Sequence, residues 1–184
     1  MRRALYRLAQ FRYHRWPRPL GPDERAEVQC CLNPALAALF GRQTVGEQVH
    51  SLRVMRALAA GGGASTRPEL LQAALLHDVG KSLLPLSVFD RGLVVLARAL
   101  APAAIRGWGQ GQARGWRRPF VTAERHPEWG AELCARAGAS PLTVTLIRRH
   151  ASPRHGSPVT RPAMKPETPE DTLLALLQAA DDDN

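Results

Sequence analysis

Histidine and aspartate side chains stand at five points of this chain in an order that suits metal chemistry: His50, the pair His77-Asp78, His126, His150 and Asp181. Imidazole nitrogens and carboxylate oxygens are donors of transition-metal sites. A buried imidazole–carboxylate pair is costly unless the two groups are paired with each other or bound to a cation. Taken singly, each histidine reads as a satisfied core residue. As an ordered set they read as one site, because each falls at the end of a predicted helix or on its buried side. A helical bundle brings such positions together. Asp181 follows Leu174 and Leu177 at i+7 and i+4, so it continues their inward face. Its neighbour Asp182 is turned about a quarter turn off that face.

The elements that must carry these residues are legible in outline. Residues 69–79 are apolar on nearly every side (Leu70, Leu71, Ala73, Ala74, Leu75, Leu76), which predicts a central buried helix bearing His77-Asp78, with Gly80 as its C-cap. His50 lies on a helix predicted over 45–60 and stopped by Gly61-Gly62-Gly63. Pro127 suits a first helical turn, so a helix is expected to open directly after His126 and to end at Gly138. Ser140-Pro141 opens the next, ending around His150, and Thr168-Pro169-Glu170-Asp171 has capping-box spacing for a last helix through Asp181. Helical patterns also cover 23–40 and 93–105, the latter interrupted by Pro102. Residues 107–118, with Trp108 and Trp116 among glycines and arginines, read as a loop suited to lie over a pocket and stack a base. Residues 1–22 read as a short helix and a linker broken by Pro17, Pro19 and Pro22, and 152–166 as irregular.

Composition sets the class. Hydrophobic residues make up 45% of the chain and aromatics only 5%, with no run of alternating β-formers, so the expected fold is all-α. One domain over 41–184 with an N-terminal helical extension over 1–40 accounts for the length. The net charge of +9 and pI of about 10.9 suit nucleic acid, an anionic membrane surface or a phosphate-bearing ligand. Arginine is spread from Arg2 to Arg161 without a Lys/Arg block, so no dedicated nucleic-acid arm is expected and solvated surface is the simpler reading. Cys30, Cys31 and Cys134 have neither the count of a disulfide framework nor a CxxC zinc spacing. With no apolar signal core and no transmembrane segment, a cytoplasmic protein is expected.

The strings AALLHDVGK (73–81), HPEWGAEL (126–133) and LLQAAD (176–181) carry a resemblance. With the order His50, His77-Asp78, His126, His150, Asp181, the chain resembles the HD superfamily (HDIG-type) of metal-dependent phosphohydrolases over about residues 45–184. The implied architecture is the HD-domain helical bundle. Cyclic-di-GMP phosphodiesterases of the HD-GYP type carry a double histidine and then Gly-Tyr-Pro. Here Ala151 follows His150, and His155-Gly156-Ser157-Pro158 lacks the tyrosine, so the chain is not read as HD-GYP. Its ligand order is similar to that of dinucleoside-polyphosphate and nucleotide hydrolases, and of the mixed-valence di-iron oxygenases.

The resemblance implies two divalent transition-metal ions, iron or manganese foremost, bridged by Asp78. His50, His77 and Asp181 serve one ion and His126 and His150 the other, with a hydroxide between the ions as nucleophile toward phosphorus. Asp78 and Lys81 take the catalytic roles: the Lys81 ammonium neutralises a phosphate oxygen as charge builds, although a lysine is also favoured at any helix C-terminus. Arg53 and Arg149 are further candidates for phosphate contact, with a solvated helix face as the simpler reading of both. The expected partner is a small-molecule phosphate substrate, a nucleotide foremost. A di-iron oxygenase would use the same six ligands, and a non-catalytic HD nucleotide-binding module would not need them. The basic balance and Lys81 favour phosphate over the first, and the complete ligand set argues against the second.

Overall fold

The computed structural model describes residues 18–100, 102–152 and 168–184. The short helix expected near the N-terminus, and the segment holding His155, fall on residues 1–17 and 153–167 and lie outside the described residues. Helices without any strand make up the described residues, so the fold is all-α.

Local chemistry explains where the helices begin. The single pattern expected over 23–40 is two helices, α1 (Pro22–Cys31) and α2 (Pro34–Phe40). Asn33 divides them: its Oδ1 accepts from the Leu36 amide at 2.8 Å, and Pro34 then occupies the first turn. α3 (Val45–Gly61) opens with a capping box in which Thr44 and Glu47 exchange bonds, and it stops at Gly62, whose φ of 65° is left-handed. α4 (Pro68–Leu76) ends sooner than expected. His77 and Asp78 form a turn, and Val79–Leu83 is a 3-10 turn, so Gly80 is not a helix C-cap.

α5 (Val88–Leu100) begins five residues earlier than its apolar pattern, because Ser87 and Asp90 bond each other's backbone amides. Pro102 opens α6 (Pro102–Trp108). The expected loop over 107–118 is thus shorter, holding the end of α6 and a 3-10 turn at Gly115–Arg117. α7 (Arg118–Arg136) runs straight through His126, so Pro127 is a mid-helix proline and not a start signal. Pro119 serves the first turn instead, and Gly138, at φ 82°, follows the end. α8 (Pro141–Arg149) is capped by Ser140, and α9 (Pro169–Asp183) by Thr168, each accepting from the amide three residues on.

α4 lies at the centre and packs against α3, α8 and α9, with α1 and α2 also against it. Leu70, Ala73, Ala74, Leu75 and Leu76 are fully buried, which is why this helix has no polar face. α1 and α2 add Val28, Leu36 and Phe40 to that same core. α7 packs on α8 and on the turn after Asp78. A second, smaller core joins Val94 and Ala97 of α5 with Ile105 and Phe120.

Candidate metal centre

Every proposed ligand is delivered by a helix end or an inward face. His77 and Asp78 leave the C-terminus of α4, His150 leaves that of α8, His50 and His126 sit within α3 and α7, and Asp181 sits in the last turn of α9. His77, Asp78, His126 and His150 are all buried, while His50 and Asp181 are partly open.

The imidazoles are fixed by their backbone bonds. Nδ1 of His77 faces Ala74 O at 2.9 Å, Nδ1 of His126 faces Thr122 O at 3.0 Å, and Nδ1 of His150 faces Ile147 O at 2.7 Å. A carbonyl only accepts, so each Nδ1 carries the proton and donates. In the neutral rings Nε2 is left as a lone pair aimed into the cluster.

Asp78 stands between two groups of donors. Its Oδ2 lies 3.6 Å from His77 Nε2, while its Oδ1 lies 3.4 Å from His126 Nε2 and 3.8 Å from His150 Nε2. Asp181 Oδ1 is 2.8 Å from His50 Nε2 and 3.4 Å from His77 Nε2. Two triads therefore have the spacing to hold a metal ion, His50–His77–Asp78 and Asp78–His126–His150, with Asp78 common to both.

Two features fit a cation better than a polar core. The Nε2 of His77 is buried without a hydrogen-bond partner. The Nε2 atoms of His126 and His150 face each other at 3.3 Å. Two lone pairs at that distance repel unless a proton or a cation lies between them. The donor set of imidazole and carboxylate without thiolate suits transition metals. Cys134 is buried in α7, and burial pushes its thiol up to about 12, so it stays protonated.

Electrostatics follow from the crowding. Burial opposes the charge on Asp78, but Lys81, His77 and His126 outweigh it and hold the carboxyl well below its ordinary range. Lys81 Nζ donates to Asp78 Oδ2 at 2.5 Å. Burial lowers His77, yet Asp78 and Asp181 carry it up to about 8. Burial, and then the charges of His77 and His126, press His150 down to about 3. Asp181 is also depressed, against burial, by His50 and His77.

The remaining candidates lie at the margin. Arg53 is half-buried on α3, one turn after His50. Arg149, next to His150, is held by Glu170 at 2.7 Å and Asp171 at 2.8 Å. Trp108 and Trp116 meet each other edge-to-face at 5.6 Å and each lies edge-to-face with Phe120; Trp108 packs against the smaller core, while Trp116 is largely exposed.

Sequence reasoning missed two glutamines that hold the ligand helices. Gln178 Nε2 donates to the carbonyls of His150 and Ser152, each at 3.0 Å, and so ties α9 to the end of α8. Gln43 Nε2 donates to Leu75 O at 2.9 Å, at the end of α4. Gln178 does leave a trace, as a polar residue directly after Leu177 near the inward face of α9; Gln43, in the link between α2 and α3, leaves none.

Fold and site together define an all-α domain built on a His/Asp cluster able to hold metal ions. The model of the HD domain family matches residues 48–183, a span that takes in every proposed ligand from His50 to Asp181. The chain belongs to the HD domain family. No curated protein and no solved structure matches it.

Proposed function

We propose that this chain is a metal-dependent phosphohydrolase that cleaves a phosphate ester or anhydride, with a nucleotide as the preferred substrate. The observation that carries the reading is the pair of facing nitrogens, His126 Nε2 and His150 Nε2 at 3.3 Å, with Asp78 Oδ1 beside both. In this reading His50, His77 and Asp181 would hold one divalent ion and His126 and His150 a second, with Asp78 common to both triads. Ions held there supply water of lowered pKa and stabilise negative charge on phosphate oxygens.

The chain's own residues do the rest. The Nδ1 bonds to Ala74, Thr122 and Ile147 hold the imidazoles in the tautomer that offers Nε2. Lys81 keeps Asp78 ionised, and its side chain is 29% exposed, with ammonium hydrogens left to donate to an incoming phosphate. Val79 and Ile147, both fully buried beside the ligand turns, help keep bulk water from the cluster.

Two measurements test this. Elemental analysis of protein purified without added metal should find iron or manganese, at two equivalents per chain. A panel of mono-, di- and cyclic nucleotides and dinucleoside polyphosphates, assayed with manganese and with ferrous iron, should give phosphate release with cyclic-di-GMP left largely intact. Protein without metal would leave a nucleotide-binding module. Loaded protein inert on the panel but consuming oxygen on another substrate would be an oxygenase.

A further inference from the structure

α5 exposes apolar side chains that the packing of the domain does not use. Phe89 is 89% exposed, Leu93 44%, Leu96 55% and Leu100 75%. At 100° per residue these four fall within about 60° of one another, a stripe along one side of the helix. Val94 and Ala97 occupy the adjoining side and face the smaller core. Among the described residues the stripe has no protein cover. Such a stripe on a charged protein marks an interaction surface.

The segment that carries the stripe is basic in sequence. Residues 84–118 hold six arginines and one acidic residue, Asp90. Arg91 is tied to Glu47 of α3 at 2.9 Å, and Arg118 to Pro85 O at 2.7 Å, so these two fasten the segment to the domain. Arg114 and Arg117 are exposed on either side of Trp116, which is itself 57% exposed, and Arg117 lies over its ring at 5.3 Å.

We propose that this α5 face docks the protein on an anionic lipid surface, with Phe89, Leu93, Leu96 and Leu100 in the headgroup–acyl boundary and the exposed Arg114 and Arg117 on acidic headgroups. The charge pattern selects this occupant. A second copy of the chain would bring +9 against +9 and two arginine-rich segments together. Nucleic acid would use the arginines and gain nothing from four exposed aliphatic and aromatic side chains. An anionic bilayer uses both kinds of group at once. α5 has 13 residues, too few to span a bilayer core of about 30 Å but suited to lying in its surface. No helix among the described residues is long and apolar enough to cross. The face carries none of the metal ligands, so the proposal stands apart from the chemistry of the site.

Cosedimentation of the full chain with vesicles tests it, using phosphatidylcholine alone or with about one-third phosphatidylglycerol. The chain should bind the anionic vesicles at low salt, about tenfold or more above the neutral ones, and lose most of that in high salt. Leu96→Glu and Phe89→Ser should each weaken binding about tenfold, with circular dichroism and metal content unchanged. Should either variant fail to fold, Leu100→Ser replaces it. Equal binding to both vesicles, or none, overturns the proposal. So does full binding by the folded variants, which would place the contact elsewhere on the chain. A dimer broken by Phe89→Ser without vesicle binding assigns the face to a second copy, and nucleic-acid binding lost in its place assigns it there; either result overturns the lipid assignment.

Discussion

A Cβ on Gly80 would stand 2.0 Å from the carbonyl oxygen of His126 and 2.7 Å from the Gly130 nitrogen. The turn that follows the His77-Asp78 pair thus lies directly on the backbone of the helix that carries His126. Just before this contact, Asp78 Oδ1 lies 3.4 Å from His126 Nε2.

Gly80→Ala therefore requires backbone to move, because neither atom belongs to a flexible side chain. The expected cost is about 3 kcal/mol, together with loss of metal, read from denaturant midpoints and elemental analysis. Gly92→Ala is the contrast: its Cβ would meet nothing within 4 Å, and it lies inside α5. It should stabilise by about 0.5–1 kcal/mol. Wild-type stability in Gly80→Ala would refute the interlock.

The same residue marks the limit of what the sequence discloses. A glycine after an apolar helix looks like a left-handed cap, and nothing local distinguishes that from a glycine needed for close approach by a helix some 50 positions later. Pro127 misleads in the same way. Proline is ordinarily a start signal, and only the packing of α7 on α8 and on the Asp78 turn sustains a helix through it. The break at Asn33-Pro34 is readable from capping chemistry, but helix-forming residues continue on both sides of it. In contrast, the buried helix before His77, and the caps Ser140 and Thr168, depend on neighbours in sequence and are legible there. The convergence of His50, His77-Asp78, His126, His150 and Asp181 could be expected because each falls at a helix end or on an apolar face. The bonds from Gln43 and Gln178 link distant elements and leave little or no periodic trace.

Removing Asp78 should empty the whole site, since both triads share it. Asp78→Ala is expected to lose bound metal and activity together, to below about a tenth of wild type, whereas His77 belongs to one triad and His77→Ala should keep the ion of the other. His126→Ala touches only one triad and should retain one equivalent of two. Full metal content in Asp78→Ala would refute the shared role.

On the last helix, geometry favours one of three consecutive aspartates. Asp181 Oδ1 sits 2.8 Å from His50 Nε2, whereas Asp182 is exposed. Asp181→Asn should lower metal affinity by about tenfold or more, and Asp182→Asn by less than about twofold. Equal effects in a chelator titration would show that the helix presents a different carboxylate.

The protonation of the cluster gives the metal-free protein a stability optimum. His77 has a folded pKa of about 8, above the ordinary 6.5, because Asp78 and Asp181 outweigh its burial. A raised pKa means that the folded state binds the proton more tightly. That contribution is complete below pH 6.5 and is lost as pH rises through about 8. His150 is shifted the other way, to about 3, by burial and by the charges of His77 and His126. Below pH 6.5 the unfolded chain takes up a proton that folded His150 refuses, so stability falls with pH until about 3. Depressed Asp78 and Asp181 act in the same direction below their ordinary 3.8. Together these predict a maximum in melting temperature near pH 6.5 for protein stripped with chelator. Metal reverses the alkaline limb. His77 must give up its proton to become a ligand, so the loaded protein should gain stability from pH 6.5 to 8, where the stripped protein loses it. Melting curves across pH 5 to 9, with chelator and with manganese, read both limbs. Parallel profiles for the two forms would mean that His77 does not exchange its proton for metal.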